Sequence, residues 1–399
     1  MQPMDRRLMR EINQNMLLNL IRAHAPISRT ELKKLSGLSL GTIVGITAAL
    51  IEQQLVREVG VAESTGGRKA GLLEIAPGGG YVIGIDLREQ LIAGTVLNLH
   101  GIVVYEDTWP APLRNNATQA IGLIAAGVEQ FIERSRVARE KVIGLGCGIS
   151  GPVNVQEGVS VDSWILDWHN VELGKPLAEA LDMPVFVDNA VNCLASYEKL
   201  YGHGRRFHDF LLVTLGRGLG MAVVIRDDLF RGAQGLGAEF GHIPFEVDGR
   251  LCECGNRGCL EAYIADHGIV TTYHELCADP VVVKAGEANI ADINELYRRA
   301  KEGGRCAARA FELTGERLGT GLATLVNLFN PQCIILNGGE EHRIDLLLEP
   351  MHAALEKRIF SQLGRDLSMI VEQETTPINW ARGAGCLVLR DFFSSPVNA

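Results

Sequence analysis

The chain of 399 residues has no run of about 18 consecutive apolar residues, which rules out a transmembrane helix. Met1 to Arg10 holds Asp5 and three arginines but no apolar stretch, so a secretory signal is not expected and a cytoplasmic location is. A disulfide framework is also missing. Of the nine cysteines, Cys147, Cys193, Cys277, Cys306, Cys333 and Cys386 stand alone, mostly in apolar sequence where they read as small core residues. Positive charge is short overall, with a net charge of −10, which argues against a chain that coats nucleic acid. The deficit is uneven. Residues 1–76 hold ten Lys/Arg against seven Asp/Glu, while the rest holds 28 against 41. A mildly basic head on an acidic body suits a chain that meets phosphate with its head alone. The 45 glycines fall in short clusters beside apolar runs and form no linker tract, and the length implies two or three domains.

The first 76 residues read as a winged helix. Met16, Leu17, Leu20 and Ile21 recur at helical spacing between Asn13 and His24, and Pro26 ends that helix. Ser28 and Glu31 form an S-x-x-E capping box at the start of a short second helix. Ser36-Gly37-Leu38 is a tight turn, and Ser39 caps a third helix reaching about Gln53. Two short helices joined through a glycine turn are the helix-turn-helix pattern. Strands at Leu55–Val59 and Leu72–Ile75 flank a basic tip, Ser64 to Lys69, and make a wing. The expected DNA contacts are Ser39 and Thr42 at the third helix, Arg29, Lys33 and Lys34 toward phosphates, and Arg68 and Lys69 in a minor groove. The third helix has no Arg, Lys, Asn or Gln before Gln53, so direct base readout by hydrogen bonds is sparse. A protein-docking role for the same module is the alternative.

The body reads as two similar α/β halves. Tyr81–Asp86, Leu91–Leu97 and Ile102–Tyr105 are strands, followed by a helix over Thr118–Glu133 and a strand at Val142–Gly146. Phe210–Leu215, the glycine turn Gly216–Gly220, Met221–Ile225 and Leu229–Phe230 repeat the opening order, which points to a duplicated fold with a cleft between the halves. The expected boundaries are 77–198 for the first lobe and 199–399 for the second, with about 380–399 returning to the first.

Glu239-Phe240-Gly241-His242 precedes Cys252-Glu253-Cys254-Gly255-Asn256-Arg257-Gly258-Cys259-Leu260-Glu261. His242, Cys252, Cys254 and Cys259 supply the ligand set of a tetrahedral structural zinc, with Gly255 and Gly258 permitting the sharp backbone path. Here the chain resembles the ROK family (repressors, open reading frames, kinases), which has an actin/hexokinase-like fold. Gly84-Ile85-Asp86, Gly148–Pro152, Pro184–Val187, Gly216–Gly220, Asn327–Pro331, Gly338-Gly339 and Gly383–Gly385 fall in the family's order, and Ile27–Leu32 resembles its repressor branch.

The resemblance implies a sensor and not a kinase. Kinases of the family carry small residues after the first-strand aspartate to admit ATP phosphates; here Asp86 is followed by Leu87-Arg88-Glu89-Gln90, and Glu89 would repel them. Where the family's kinases place the general-base aspartate, this chain has Ala190 within Asp188-Asn189-Ala190-Val191-Asn192. Loss of a general base costs about 10²–10⁴ in rate. No catalytic residue is therefore assigned. The resemblance places Asn189, Glu239, His242 and Glu261 at a bound sugar, and Trp164 and Trp168 are candidates for the pocket wall. It further implies a pentose such as xylose as effector, double-stranded operator DNA as partner, and a homodimer or homotetramer without membrane contact. An ATP-dependent sugar kinase with an appended DNA-binding head is the alternative.

Overall fold

The computed structural model of the chain describes residues 6–61, 71–277, 292–338, 344–372 and 376–394. Its head comprises α1 (Arg6–His24), β1 (Ile27–Ser28), α2 (Arg29–Ser36), α3 (Leu40–Glu52), β2 (Val56–Val61) and β3 (Gly71–Ile75). Local chemistry sets the helix ends. Ser28 Oγ accepts the Glu31 N–H while the Glu31 carboxylate accepts the Ser28 N–H at 2.9 Å, a complete capping box. Gly37 closes α2 with a left-handed φ of 71°. Ser39 then caps α3 by accepting the Thr42 N–H. Across that turn the chain bends by 119°, as a helix-turn-helix requires. β2 and β3 pair antiparallel and β1 adds to β3, which gives the wing its base. Helix α1 starts well before Asn13. The wing tip with Arg68 and Lys69 lies outside the described residues.

The first lobe contains β4 (Tyr81–Leu87), β5 (Leu91–Asn98), β6 (Val103–Pro110), α4 (Ala117–Ser135), β7 (Val142–Ile149), β8 (Val153–Asn154), β9 (Val159–Ser163), β10 (Trp168–Glu172), α5 (Gly174–Leu181), β11 (Val185–Asn189) and α6 (Ala190–Leu200). The second contains β12 (Phe210–Leu215), β13 (Leu219–Ile225), β14 (Asp228–Phe230), α7 (Glu261–Ile264), α8 (Asp266–Cys277), α9 (Ile293–Lys301), α10 (Arg305–Phe329), β15 (Cys333–Asn337), α11 (Asp345–Arg358) and β16 (Ser368–Glu372), after which α12 (Pro377–Phe393) returns to the first lobe. One five-stranded sheet runs β11-β7-β4-β5-β6 and the other β16-β15-β12-β13-β14. In both, the first strand of the lobe pairs antiparallel with the second and parallel with the strand that follows the crossover helix. The duplication read from the sequence is thus a repeated topology. Central strands such as β4 and β12 are buried almost throughout, which is why they appear as continuous apolar runs. The small sheet β10-β9-β8, inserted between β7 and β11, had no sequence signal strong enough to mark it.

Helix α12 ends the chain's course in the first lobe. It lies against β4 and β7 at glycines: a Cβ at Gly84 would stand 1.9 Å from the Ala381 carbonyl oxygen, and one at Gly146 would stand 1.9 Å from that of Ala384. Its C-terminal half, with Cys386, Val388, Leu389 and Phe393, joins a single apolar cluster with Val82, Leu97 and the head's Leu17, Ile21, Ile43 and Leu50. Asn15 and Asn19 of α1 donate side-chain hydrogen bonds of 2.6 Å to the carbonyls of Ser394 and Phe393. Arg22 stacks over the Phe393 ring. Head and first lobe therefore share one core.

Glu198, on α6, is buried beside the end of β16. Burial, reinforced by the Glu372 carboxylate, pushes its carboxyl up to about 7, against the backbone N–H groups of His203 and Gly204 and the charge of Arg382. Between its ordinary value of 4.5 and about 7 the folded chain keeps a proton that the unfolded chain has released. Stability from this group therefore falls as pH rises through that window. Glu198→Gln is expected to flatten the stability–pH curve there and to raise the thermal midpoint at pH 8. Gly146→Ala is expected to destabilise by about 1–3 kcal/mol or more, because its methyl has no room beneath α12. Thermal unfolding of both variants checks these outcomes.

Candidate functional site

Four ligand-type atoms converge beyond β14. His242, Cys252, Cys254 and Cys259 each offer one, and all lie within 4.8 Å of one another. Cys254 Sγ and Cys259 Sγ are 3.7 Å apart, as are Cys252 Sγ and His242 Nδ1. A tetrahedron of Zn–S bonds near 2.3 Å has edges of about 3.8 Å, so the spacing fits a metal ion. The backbone that brings them together turns at Gly255 and Gly258, with φ of 84° and 75°. A Cβ at Gly258 would stand 1.7 Å from the Glu246 carbonyl oxygen. Leu251 bridges Arg257 and Pro244 bridges Cys259, closing a compact knuckle. Burial raises the Cys252 and Cys259 thiols above their ordinary pKa. Thiolates in that setting need a cation to hold their charge.

Glu261, the first residue of α7, links this cluster to the glycine turn before β13. Its Oε2 accepts the Leu219 N–H at 2.9 Å, and its Oε1 lies 3.7 Å from the Cys252 sulfur. Metal-bound Cys252 would carry no thiol proton, which leaves Oε1 an acceptor for another donor. Glu239 borders a shallow concavity between the lobes, with Asn189 and Asn192 on the first-lobe side and Met221 on the second. Its side chain reaches solvent at the mouth, yet the protein crowds it. That desolvation, opposed by His242 and reinforced by Glu261, raises its carboxyl pKa. Asn189 caps α6 by accepting the Val191 N–H and donates to the Gly151 carbonyl, each at 2.8 Å, so its amide is anchored at the cleft floor. Of the four residues expected to meet a sugar, Asn189 and Glu239 line this cleft, whereas His242 and Glu261 are not on its lining and act on the Glu239 charge from beside it.

Sequence reading missed the bond that closes the cleft floor. Arg231, in the loop after β14, donates twice to Asp188 Oδ2, at 2.7 and 2.9 Å, from the second lobe to the first. Asp188 is buried and its other oxygen accepts the Asn189 N–H and the Asn192 amide. A carboxylate so fully engaged is a structural anchor. The Trp168 expectation is corrected: its ring is wholly buried and its N–H donates to the Leu113 carbonyl, so it packs the core and lines no pocket. Trp164 is 41% exposed and meets His169 edge-on.

The turn after β4 is closed by its own charges. Asp86 accepts from Arg88 at 2.7 Å, and Glu89 accepts from Arg114 at 2.6 Å and faces Arg217 of the second glycine turn at 3.8 Å. In the head, Lys33, Lys34, Ser39 and Thr42 are exposed. Arg29 is instead drawn inward, donating to Thr47 Oγ1 at 3.0 Å and Glu58 at 2.8 Å.

The model of the ROK family matches residues 82–391, which leaves the head outside it. The chain is 30% identical over 356 residues to the xylose repressor of Caldicellulosiruptor bescii, covering 88% of this chain and 89% of that protein. The solved structure of a ROK family transcriptional regulator, a homolog of the E. coli MLC protein, superposes over 96% of this chain and 97% of its own, with TM-score 0.84 and 24% identity. A ROK family glucokinase from Streptomyces griseus, solved with glucose and AMPPNP, is 27% identical with TM-score 0.65 and covers 99% of itself but 77% of this chain.

Cys254→Ser is expected to abolish bound metal and to lower the thermal midpoint by several degrees, whereas the unaltered chain carries about one zinc per molecule. Metal analysis after gel filtration, paired with calorimetry, checks this. A metal-free chain of undiminished stability would contradict it.

Proposed function

The chain belongs to the ROK family, and we propose that within it the protein is a sugar-responsive transcriptional repressor of carbohydrate genes. Its winged helix binds double-stranded operator DNA, a monosaccharide enters the cleft between the lobes, and a structural zinc at His242, Cys252, Cys254 and Cys259 holds the cleft wall. The observation that carries this reading is the shared core of head and first lobe, crossed by α12. A head tied to the sugar-binding body by packed side chains feels any change in the cleft. An appended head on a flexible tether would not.

The cleft supports binding without transfer. Ala190 offers no carboxylate to take a proton from a hydroxyl, and Glu89 with its arginine partners fills the turn where phosphates would pass. Asn189, Glu239, His242 and Glu261 provide donors and acceptors for sugar hydroxyls. Without a carboxylate at position 190, the site makes no demand on a hydroxymethyl group, which favours a pentose; the xylose repressor relative points the same way. Two copies of the head on a two-fold operator make a homodimer or a dimer of dimers, working in the cytoplasm with the chromosome. Arg29, Lys33, Lys34, Arg68 and Lys69 would face phosphate, with Arg29 first leaving Glu58.

Sugar can move this equilibrium only by binding one lobe arrangement better than the other, typically by about 1–3 kcal/mol, or 5- to 150-fold in DNA affinity. Fluorescence anisotropy of DNA from the gene's upstream region, with a panel of aldoses and amino sugars, is expected to show tight binding that one sugar shifts by that amount. Glu239→Gln should keep the DNA affinity and lose the shift. ATP-dependent phosphorylation of any aldose, or DNA binding that no sugar moves, would overturn the proposal.

A further inference from the structure

Helix α3 turns an apolar face outward. Leu40 and Val44 are each 47% exposed, and Gly41, Gly45 and Ala48 lie at the surface beside them. These positions are spaced i, i+1, i+4, i+5 and i+8, one side of a helix, while Ile43, Ile46, Thr47 and Leu50 fill the buried side. Between Leu40 and Glu52 there is no Arg, Lys, Asn or Gln, the side chains that make paired hydrogen bonds to guanine and adenine edges. The hydroxyls at its start engage each other, with Thr42 Oγ1 2.8 Å from Ser39 Oγ. Such a face has little to offer a polar base edge.

The fold does not require the two glycines on it. Neither has a left-handed backbone, a Cβ at Gly45 would meet nothing within 4 Å, and one at Gly41 would meet only Ser39 Oγ, at 3.9 Å. Glycine weakens a helix relative to alanine, so both positions give up helix stability without any packing gain inside the chain. What they do provide is bare backbone between two apolar side chains, open to a surface that comes in from outside. The exposed Lys33 and Lys34 on α2, the helix that packs on α3, give that surface a negative charge to match. A major groove satisfies both conditions, and its one apolar base-edge group is the C5 methyl of thymine.

We propose that α3 selects its operator through thymine methyl groups: Leu40, Val44 and Ala48 pack on them, and Gly41 and Gly45 let the helix settle against the base edges. This rests on the repressor reading above. The sites it recognises are therefore runs of A·T pairs with thymines placed along one side of the groove, recognised without a guanine contact from this helix.

The test uses the full-length protein and the gene's upstream duplex, amplified once with dTTP and once with dUTP. Uracil keeps the pairing and the phosphates and deletes every C5 methyl. Affinity for the dUTP product is expected to fall roughly tenfold or more. Leu40→Ala with Val44→Ala should weaken binding to the dTTP product and narrow the difference between the two. Gly45→Ala should raise the thermal midpoint and yet weaken binding to the dTTP product, a combination that a purely structural glycine would not give. Equal affinity for both products, an undiminished difference in the Leu40→Ala/Val44→Ala protein, or unchanged binding by Gly45→Ala would overturn the proposal while leaving the repressor reading standing. Failure to bind the dTTP product above a scrambled duplex would remove the repressor reading itself.

Discussion

Helix α12 sits so close on the first sheet that two glycines, Gly84 and Gly146, are the residues that let the backbones meet. That approach organises much of the rest. The same helix packs along α6, whose N-cap is Asn189 at the cleft floor, and its last turn carries the head through Phe393 and the carbonyls held by Asn15 and Asn19. A close-packed interface of this kind does not deform continuously; it shifts as a unit or not at all. One rigid element therefore runs from the cleft floor to α1 of the head.

The cleft itself is organised by charges that the sequence scatters widely. Asp188 and Arg231 join the two lobes at its floor, and Glu261 joins the glycine turn before β13 to the cysteine cluster. A ligand that parts or tightens the lobes must act against the first of these bonds, and one that touches Glu261 touches the cysteine knuckle as well. The turn after β4 is spanned by Arg88, Arg114 and Arg217 on Asp86 and Glu89. The fold is shared with a ROK family glucokinase.

Features fixed by neighbours in the chain are legible in the sequence alone. The Ser28–Glu31 box, the left-handed Gly37 and the Ser39 cap are each settled within four residues, and the His242–Cys259 ligand set lies within eighteen. The strand–turn–strand repeat is visible because buried strands are apolar throughout. What the local pattern hides depends on partners far away in the chain. Arg231 meets Asp188 from 43 residues off, and Asn15 reaches Ser394 across 379. Nothing nearby in the chain distinguishes Trp168, buried on the Leu113 carbonyl, from an exposed tryptophan, nor Arg29, paired with Glu58, from an arginine that faces phosphate. The wing tip, the remaining part of the expected DNA contact, falls outside the described residues.

If α12 carries a change in the cleft to the head, its own amides and those of α1 must respond to ligand. Amide hydrogen exchange across the whole chain, with and without the sugar that alters DNA binding, measures this directly. Changed protection is predicted in the Leu387–Phe393 turns of α12 and in the Asn15–Arg22 stretch of α1, together with the cleft strands. Changes confined to the cleft around Asp188–Asn192 and Gly235–His242, with α12 and α1 untouched, would contradict it.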